Sequence, residues 1–166
     1  MANLCLMIGL PASGKSTFCK QITKKHAYTD AYISRDEIRY SMLDDKDKYF
    51  AKENHVFKEY ISRIKTCLSK GYNVYADATH LNIASRRKVI EQIKRSGIQC
   101  SIIGIWIDTP IKDCLYRNNL REGRAKVPYE AMMDMYNKFQ VPSYSEGFNT
   151  IIRVEGDNHY ILEPEK

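Results

Sequence analysis

The residues best equipped for chemistry lie near the N-terminus, in the run Gly9-Leu10-Pro11-Ala12-Ser13-Gly14-Lys15-Ser16-Thr17, directly after the apolar stretch Leu4 to Ile8. This is the spacing of a strand feeding a phosphate-binding loop. Gly9 and Gly14 allow backbone conformations that a side chain forbids, so that successive N–H groups of the loop point inward at phosphate oxygens, with Pro11, which has no N–H to offer, Ala12 and Ser13 shaping the turn between them. Lys15 is the cation for the outer phosphates, and Ser16 offers a hydroxyl to Mg²⁺, with Thr17 completing the motif. A helix over about Ser16 to Lys24 points its positive end at the same place.

A phosphate loop alone leaves open what the phosphate is for. The next candidate group is Ser34-Arg35-Asp36-Glu37-Ile38-Arg39, which follows a short strand and therefore falls at the carboxyl edge of a parallel sheet, where such folds bind ligands. Asp36 is suited to act as a general base that takes a proton from an attacking hydroxyl. Arg39, three residues on, shares its helix face and is suited to an anionic acceptor group. The plainer alternative for the two is an intrahelical ion pair. Asp77 interrupts an apolar strand at its carboxyl end, where a buried carboxylate needs a cation or metal-bound water beside it. Arg117 and Arg121 lie in one short stretch with Arg124 and Lys126. Guanidinium groups aimed at a transferring phosphoryl group stabilise charge that develops there, and Gly123 offers a hinge for a moving lid. Arg124 and Lys126 read equally well as a solvated face. The basic run Arg86, Arg87, Lys88, Lys94 and Arg95 fits either a nucleic-acid track or the wet side of an amphipathic helix.

The elements that must position these groups alternate between apolar strands and amphipathic helices, the pattern of a parallel α/β sheet. Strands are expected over Leu4–Ile8, Ala31–Ser34, Asn73–Asp77, Cys100–Ile107 and Thr150–Val154. Helices are expected from about Arg35, Asp47 to Ser69, Ala84 to Arg95, Thr109 to Arg121 and Tyr129 to Phe139. The expected fold class is α/β: a three-layer arrangement with about five parallel strands and a helical lid near residues 117–128. With 166 residues and no linker or repeat, the chain is expected to be one domain. Five scattered cysteines without a C-x-x-C pair point to reduced core residues of a cytoplasmic protein. No apolar run approaches membrane-spanning length, and a net charge of +6 suits a polyanionic partner. No obligate protein partner is indicated.

Taken in order, GLPASGKST, SRDEIRYS, DATHLN followed by Arg86-Arg87, then Tyr116-Arg117-Asn-Asn-Leu-Arg121, Lys126-Val127-Pro128 and Met135-Tyr136 resemble the kinase domain of phage-type polynucleotide 5′-hydroxyl kinases. The resemblance spans Leu4 to about Tyr136. It implies a P-loop kinase fold and transfer of the γ-phosphate of ATP, with Mg²⁺, to the 5′-hydroxyl end of DNA or RNA. It assigns Asp36 the general-base role and Arg39 a contact to the acceptor's 3′-phosphate. Arg117 and Arg121 become lid residues over the ATP phosphates. Thr79 and Arg86, in and after the DATHLN stretch, fall on the acceptor side, and Asp77 falls in the active site with its role open between orienting cations and indirect magnesium contact. The chain also resembles the kinases of seryl-tRNA, through the Asp-x-x-Arg pair, Met135-Tyr136-x-x-Phe139 and the stretch Pro142 to Phe148. That branch, a small hydroxylated metabolite as acceptor, and a non-enzymatic nucleotide switch are the alternatives. The switch predicts that Asp36 faces away from the phosphate loop.

Overall fold

In the computed structural model, which describes residues 1–164, the site rests on one sheet whose strands, β1 (Ala2–Ile8), β2 (Asp30–Ser34), β3 (Asn73–Asp77), β4 (Cys100–Ile107), β5 (Thr150–Glu155) and β6 (Asn158–Ile161), run in the order β2-β3-β1-β4-β5-β6. The central strand β1, Ala2–Ile8, lies between β3, Asn73–Asp77, and β4, Cys100–Ile107, and is parallel to both. Its apolar run is what burial on both faces demands. Leu4, Leu6 and Ile8 pack one way against Val56, Tyr60, Ile64 and Ile90. Cys5 and Met7 pack the other way against Cys19, Ile105 and Val154. The parallel strand β2, Asp30–Ser34, forms one edge, and β5, Thr150–Glu155, extends the sheet on the far side of β4.

The sheet has six strands where the sequence suggests about five. The additional strand, β6 at Asn158–Ile161, pairs antiparallel with β5, and all four of its residues are exposed. Without a buried face it lacks the apolar run that marks the others.

Helix α1, Lys15–Lys25, begins immediately after Gly14. Helix α2, Arg35–Met42, starts without a connecting loop from β2, because Ser34 both ends the strand and caps the helix by accepting from the Glu37 amide. Helix α3 covers Glu53–Ser69, with Val56, Tyr60, Ile61, Ile64 and Leu68 buried at helical spacing. It starts at Glu53 and not at Asp47. The intervening residues fold into turns that bring Tyr49 and Phe50 against α2, so Phe50 does not continue the apolar stripe of α3. Helix α4, Ile83–Lys94, opens with a reciprocal capping box between Asn82 and Ser85. Helix α5, Ile111–Asn119, is followed by a 3-10 turn at Gly123–Ala125, and helix α6, Tyr129–Asn137, follows Pro128.

Because β1 to β5 are parallel, their carboxyl ends share one edge of the sheet. The loops after Ile8, Ser34, Asp77 and Ile107 therefore converge there, which places the phosphate motif, Asp36 and Asp77 together.

Candidate active site

The phosphate loop takes the shape its glycines permit. Gly9 has φ +150°, and a Cβ there would lie 2.8 Å from the Ile107 carbonyl oxygen and 2.9 Å from Ser13 Oγ, so the backbone must pass bare between β1 and β4. Gly14 has φ +106°, and Ala12 adopts a left-handed φ of 61° between them. The Gly9 amide donates to the Thr79 carbonyl at 3.0 Å, and Thr109 Oγ1 donates to the Ser13 carbonyl at 2.8 Å, tying the loop to the strands on either side. Arg117 Nη1 donates to the same carbonyl at 3.3 Å. A cleft of about 470 Å³ opens over this loop, walled by Ser13 to Phe18, Gln21, Thr109, Arg117, Arg121, Val154 and Gly156.

Lys15 lies almost entirely beneath the loop. Its Nζ donates to the carbonyls of Leu10 at 2.7 Å and Gly9 at 3.0 Å. Burial lowers its pKa from the ordinary lysine value, while the carboxylates of Asp77 and then Asp36 pull the other way and Arg121 adds to the lowering. Asp77, Asp36 and Arg121, distant from it in sequence, are thus within electrostatic reach of Lys15.

Asp77, 4% exposed, is held by two hydroxyls: Ser16 Oγ donates to its Oδ2 at 2.6 Å, and Tyr32 Oη donates to the same oxygen at 2.8 Å. It orients the hydroxyl of the phosphate motif. Among the described residues no cluster of three or more His, Cys, Asp or Glu side chains forms a metal cage. The donor set that exists, one hydroxyl backed by one carboxylate, suits Mg²⁺, which keeps several waters and takes its remaining oxygens from phosphates.

Asp36 opens α2 with its side chain 59% exposed, and Tyr49 Oη donates to its Oδ1 at 2.9 Å. Arg39 pairs with the same Oδ1, so the ion pair open from the sequence is present. Arg39 is also gripped from α3: its Nε and Nη2 donate to Glu53 Oε2 at 3.1 and 2.9 Å. Glu53 additionally pairs with Arg35. The Arg39 guanidinium is 6% exposed and spans two carboxylates.

Arg86 departs from the expectation of acceptor contact. It is fully buried, with Nε and Nη2 donating to Glu146 at 2.6 and 2.8 Å and Nη1 to the carbonyls of His80 and Gln140 at 3.0 and 2.9 Å. Its place in a basic run concealed its place in a second pattern: Arg86, Val89, Ile90 and Ile93 are the buried stripe of α4. Thr79 contributes its carbonyl to Gly9, and its side chain is half-buried at the loop mouth. Arg124 is likewise more than a solvated charge, since its Nη2 donates to the carbonyls of Asp44 and Asp45 at 2.8 and 2.9 Å and joins the 3-10 turn Gly123–Ala125 to the loop after α2.

Four site residues carry no signal in the sequence pattern: Tyr32, Tyr49, Glu53 and Thr109. His80 is a fifth buried contributor. It takes a left-handed φ of 46°, hydrogen-bonds through Nδ1 with the Met7 carbonyl at 2.7 Å, and has its pKa lowered to about 4 chiefly by burial, so it is a neutral brace between β1 and the loop after β3.

If Ser16 is the hydroxyl that would hold Mg²⁺, replacing Asp77 with Asn is expected to lower turnover about ten- to a hundredfold, the usual range when a partner that orients a metal ligand is lost. A magnesium titration of Asp77→Asn should show the half-saturating concentration rising; an unchanged titration would limit Asp77 to holding Tyr32.

The fold and phosphate loop are those of a P-loop kinase. A family model described as an AAA domain matches residues 4–142, and the chain belongs to that family. It is 26% identical to the L-seryl-tRNA(Sec) kinase of Methanococcus maripaludis over 98% of this chain and 70% of that protein. It is 28% identical to a putative bifunctional polynucleotide phosphatase/kinase of Acanthamoeba polyphaga mimivirus over 90% of this chain, which spans 32% of that protein's length. Chaetomium thermophilum Kti12 in complex with ADP-AlF3 has the same fold, with a TM-score of 0.68 at 13% identity, over 93% of this chain and 89% of that one. No helix among the described residues is long and apolar enough to cross a membrane.

Proposed function

We propose that this protein transfers the γ-phosphoryl group of ATP to a hydroxyl of a nucleic acid, with the 5′-hydroxyl end of DNA or RNA as its acceptor. The observation that carries this reading is the exposed Asp36 carboxylate, oriented by Tyr49 and Arg39 and within electrostatic reach of the Lys15 ammonium. The net charge of +6 and the two nucleic-acid kinases among the relatives point to the same acceptor class. ATP as donor is supported by the phosphate loop and by the ADP-AlF3 complex of the Kti12 structure that shares this fold.

Asp36 accepts the proton of the acceptor hydroxyl as that oxygen bonds to the γ-phosphorus, and the bond from phosphorus to the bridging oxygen of ADP breaks. Lys15 faces the negative charge on the phosphates. Arg117 and Arg121, at the lid side of the cleft, stabilise charge spreading over the transferred group. Ser16, backed by Asp77, would hold Mg²⁺, whose contribution is to neutralise the phosphate oxygens.

Arg39 connects the base to the acceptor. Its Nη1 donates to Asp36 and Tyr49, and exchanging the Tyr49 hydroxyl for a phosphate oxygen would turn that edge to the 3′-phosphate of the acceptor nucleotide. A nucleoside 3′-monophosphate is therefore expected to be used about tenfold or more better than the bare nucleoside, the worth of a hydrogen bond to a charged group. In Arg39→Ala that preference should disappear. Steady-state kinetics on both acceptors decide it, and equal use by the wild type removes the 3′-phosphate contact.

A second reading, phosphorylation of seryl-tRNA, is favoured by the match to the Methanococcus maripaludis kinase over 98% of this chain. Presenting seryl-tRNA and 5′-hydroxyl oligonucleotides side by side separates the two.

A further inference from the structure

We infer that Tyr49 and Phe50 form a stacking platform for the nucleobase of the nucleotide that carries the attacking hydroxyl. This rests on the nucleic-acid reading above and specifies how that site recognises its acceptor.

The turns between α2 and α3 place the rings of Tyr49 and Phe50 beside the Asp36–Arg39 pair, and α2 itself adds Tyr40. Tyr49 and Phe50 meet edge to face at 4.8 Å, and Tyr40 meets Tyr49 edge to face at 6.3 Å. The Arg39 guanidinium lies 4.6 Å from the Tyr49 ring centre and 5.5 Å from that of Phe50, backing both rings with a buried cation. This packing fixes the orientation of the rings without covering them, because Phe50 remains 63% exposed. Gluing the turn to α2 explains Tyr49, which is half-buried. It leaves the Phe50 ring, beside that anchored phenol, open to a further partner.

Position identifies the occupant. Tyr49 Oη donates to Asp36 Oδ1, so the platform starts one phenol ring away from the proposed base. A nucleotide that offers its hydroxyl to Asp36 has its own base as the nearest planar group. The Phe50 ring offers an apolar face and no hydrogen-bonding group, which suits the face of any base and reads none of its edges. A sugar or other small polyol would call for polar donors at this point. Stacking of this kind favours acceptors by shape, so the platform predicts tolerance of terminal base identity with strong dependence on a base being present.

The test uses two 5′-hydroxyl oligonucleotides labelled at the 3′ end, one intact and one whose 5′-terminal residue is an abasic sugar, with binding read by fluorescence anisotropy and phosphoryl transfer measured on the same samples. Wild type is expected to bind the intact end about tenfold tighter than the abasic end, the typical effect of one base stacked on an aromatic ring. Phe50→Leu, which keeps an apolar side chain and removes the aromatic face, should lose that preference, and Phe50→Trp should keep it. Absence of the preference in wild type, its persistence in Phe50→Leu, or an equal loss of affinity for both oligonucleotides in Phe50→Leu overturns the platform. Transfer without a base preference rejects the platform and keeps the kinase reading. Base-dependent binding without transfer keeps the platform and rejects 5′-hydroxyl phosphorylation.

Discussion

Asp36→Asn is expected to slow phosphoryl transfer by about a hundredfold to ten-thousandfold, the span over which general-base catalysis contributes, while nucleotide affinity stays unchanged. The substitution isolates proton transfer, because the amide oxygen can still accept from Tyr49 Oη and from Arg39, the two groups that hold Oδ1 in place. The phosphate loop is untouched, since Lys15 donates its hydrogen bonds to the carbonyls of Gly9 and Leu10. Single-turnover transfer with a 5′-hydroxyl oligonucleotide measures the chemical step, and titration with a fluorescent nucleotide measures the donor site. Near-normal transfer would reduce Asp36 to an acid favoured by the N-terminal end of α2.

Arg86→Ala is expected to lower folding stability by about 3–5 kcal/mol, because it leaves the Glu146 carboxylate buried without its cation. Both side chains are fully enclosed, and the guanidinium also satisfies the carbonyls of His80 and Gln140, so α4, the loop after β3 and the segment before β5 loosen together. That loss is a large share of the roughly 5–15 kcal/mol that separates folded from unfolded domains. Chemical denaturation gives the value. The paired replacement Arg86→Met with Glu146→Leu should recover most of it, since apolar groups of similar volume often substitute for a buried ion pair. A loss below about 1 kcal/mol for Arg86→Ala, with a selective rise in acceptor KM, would return Arg86 to the acceptor side, because a surface contact costs little stability.

What the sequence determined by itself is local. The phosphate loop is readable because its chemistry belongs to consecutive residues: the conformations at Gly9 and Gly14, the cation at Lys15 and the hydroxyl at Ser16 all lie within one turn of chain. The strands are readable because burial on both faces demands continuous apolar runs, and Asp36 is conspicuous because an acid directly follows a strand at the edge where ligands bind. Family resemblance, carried by motif order, supplied the roles that no local pattern states.

Only the tertiary structure decided which distant partner each side chain meets. Ser16 and Asp77 are 61 residues apart, and Arg86 and Glu146 are 60 apart. Nothing in a window of helix or strand length records such pairs, because a hydrogen bond across the fold depends on strand order and register. Arg86 shows the principle most plainly. Its neighbours Arg87 and Lys88 made it look solvated, whereas its spacing to Val89, Ile90 and Ile93 put it on the buried face, and only a carboxylate delivered by a remote 3-10 turn allows a charge to stay there. Phe50 shows the reverse case. A helix begun at Asp47 would have carried it on the apolar stripe of α3, but the turns before Glu53 free it from that helix and set its ring in solvent beside Tyr49.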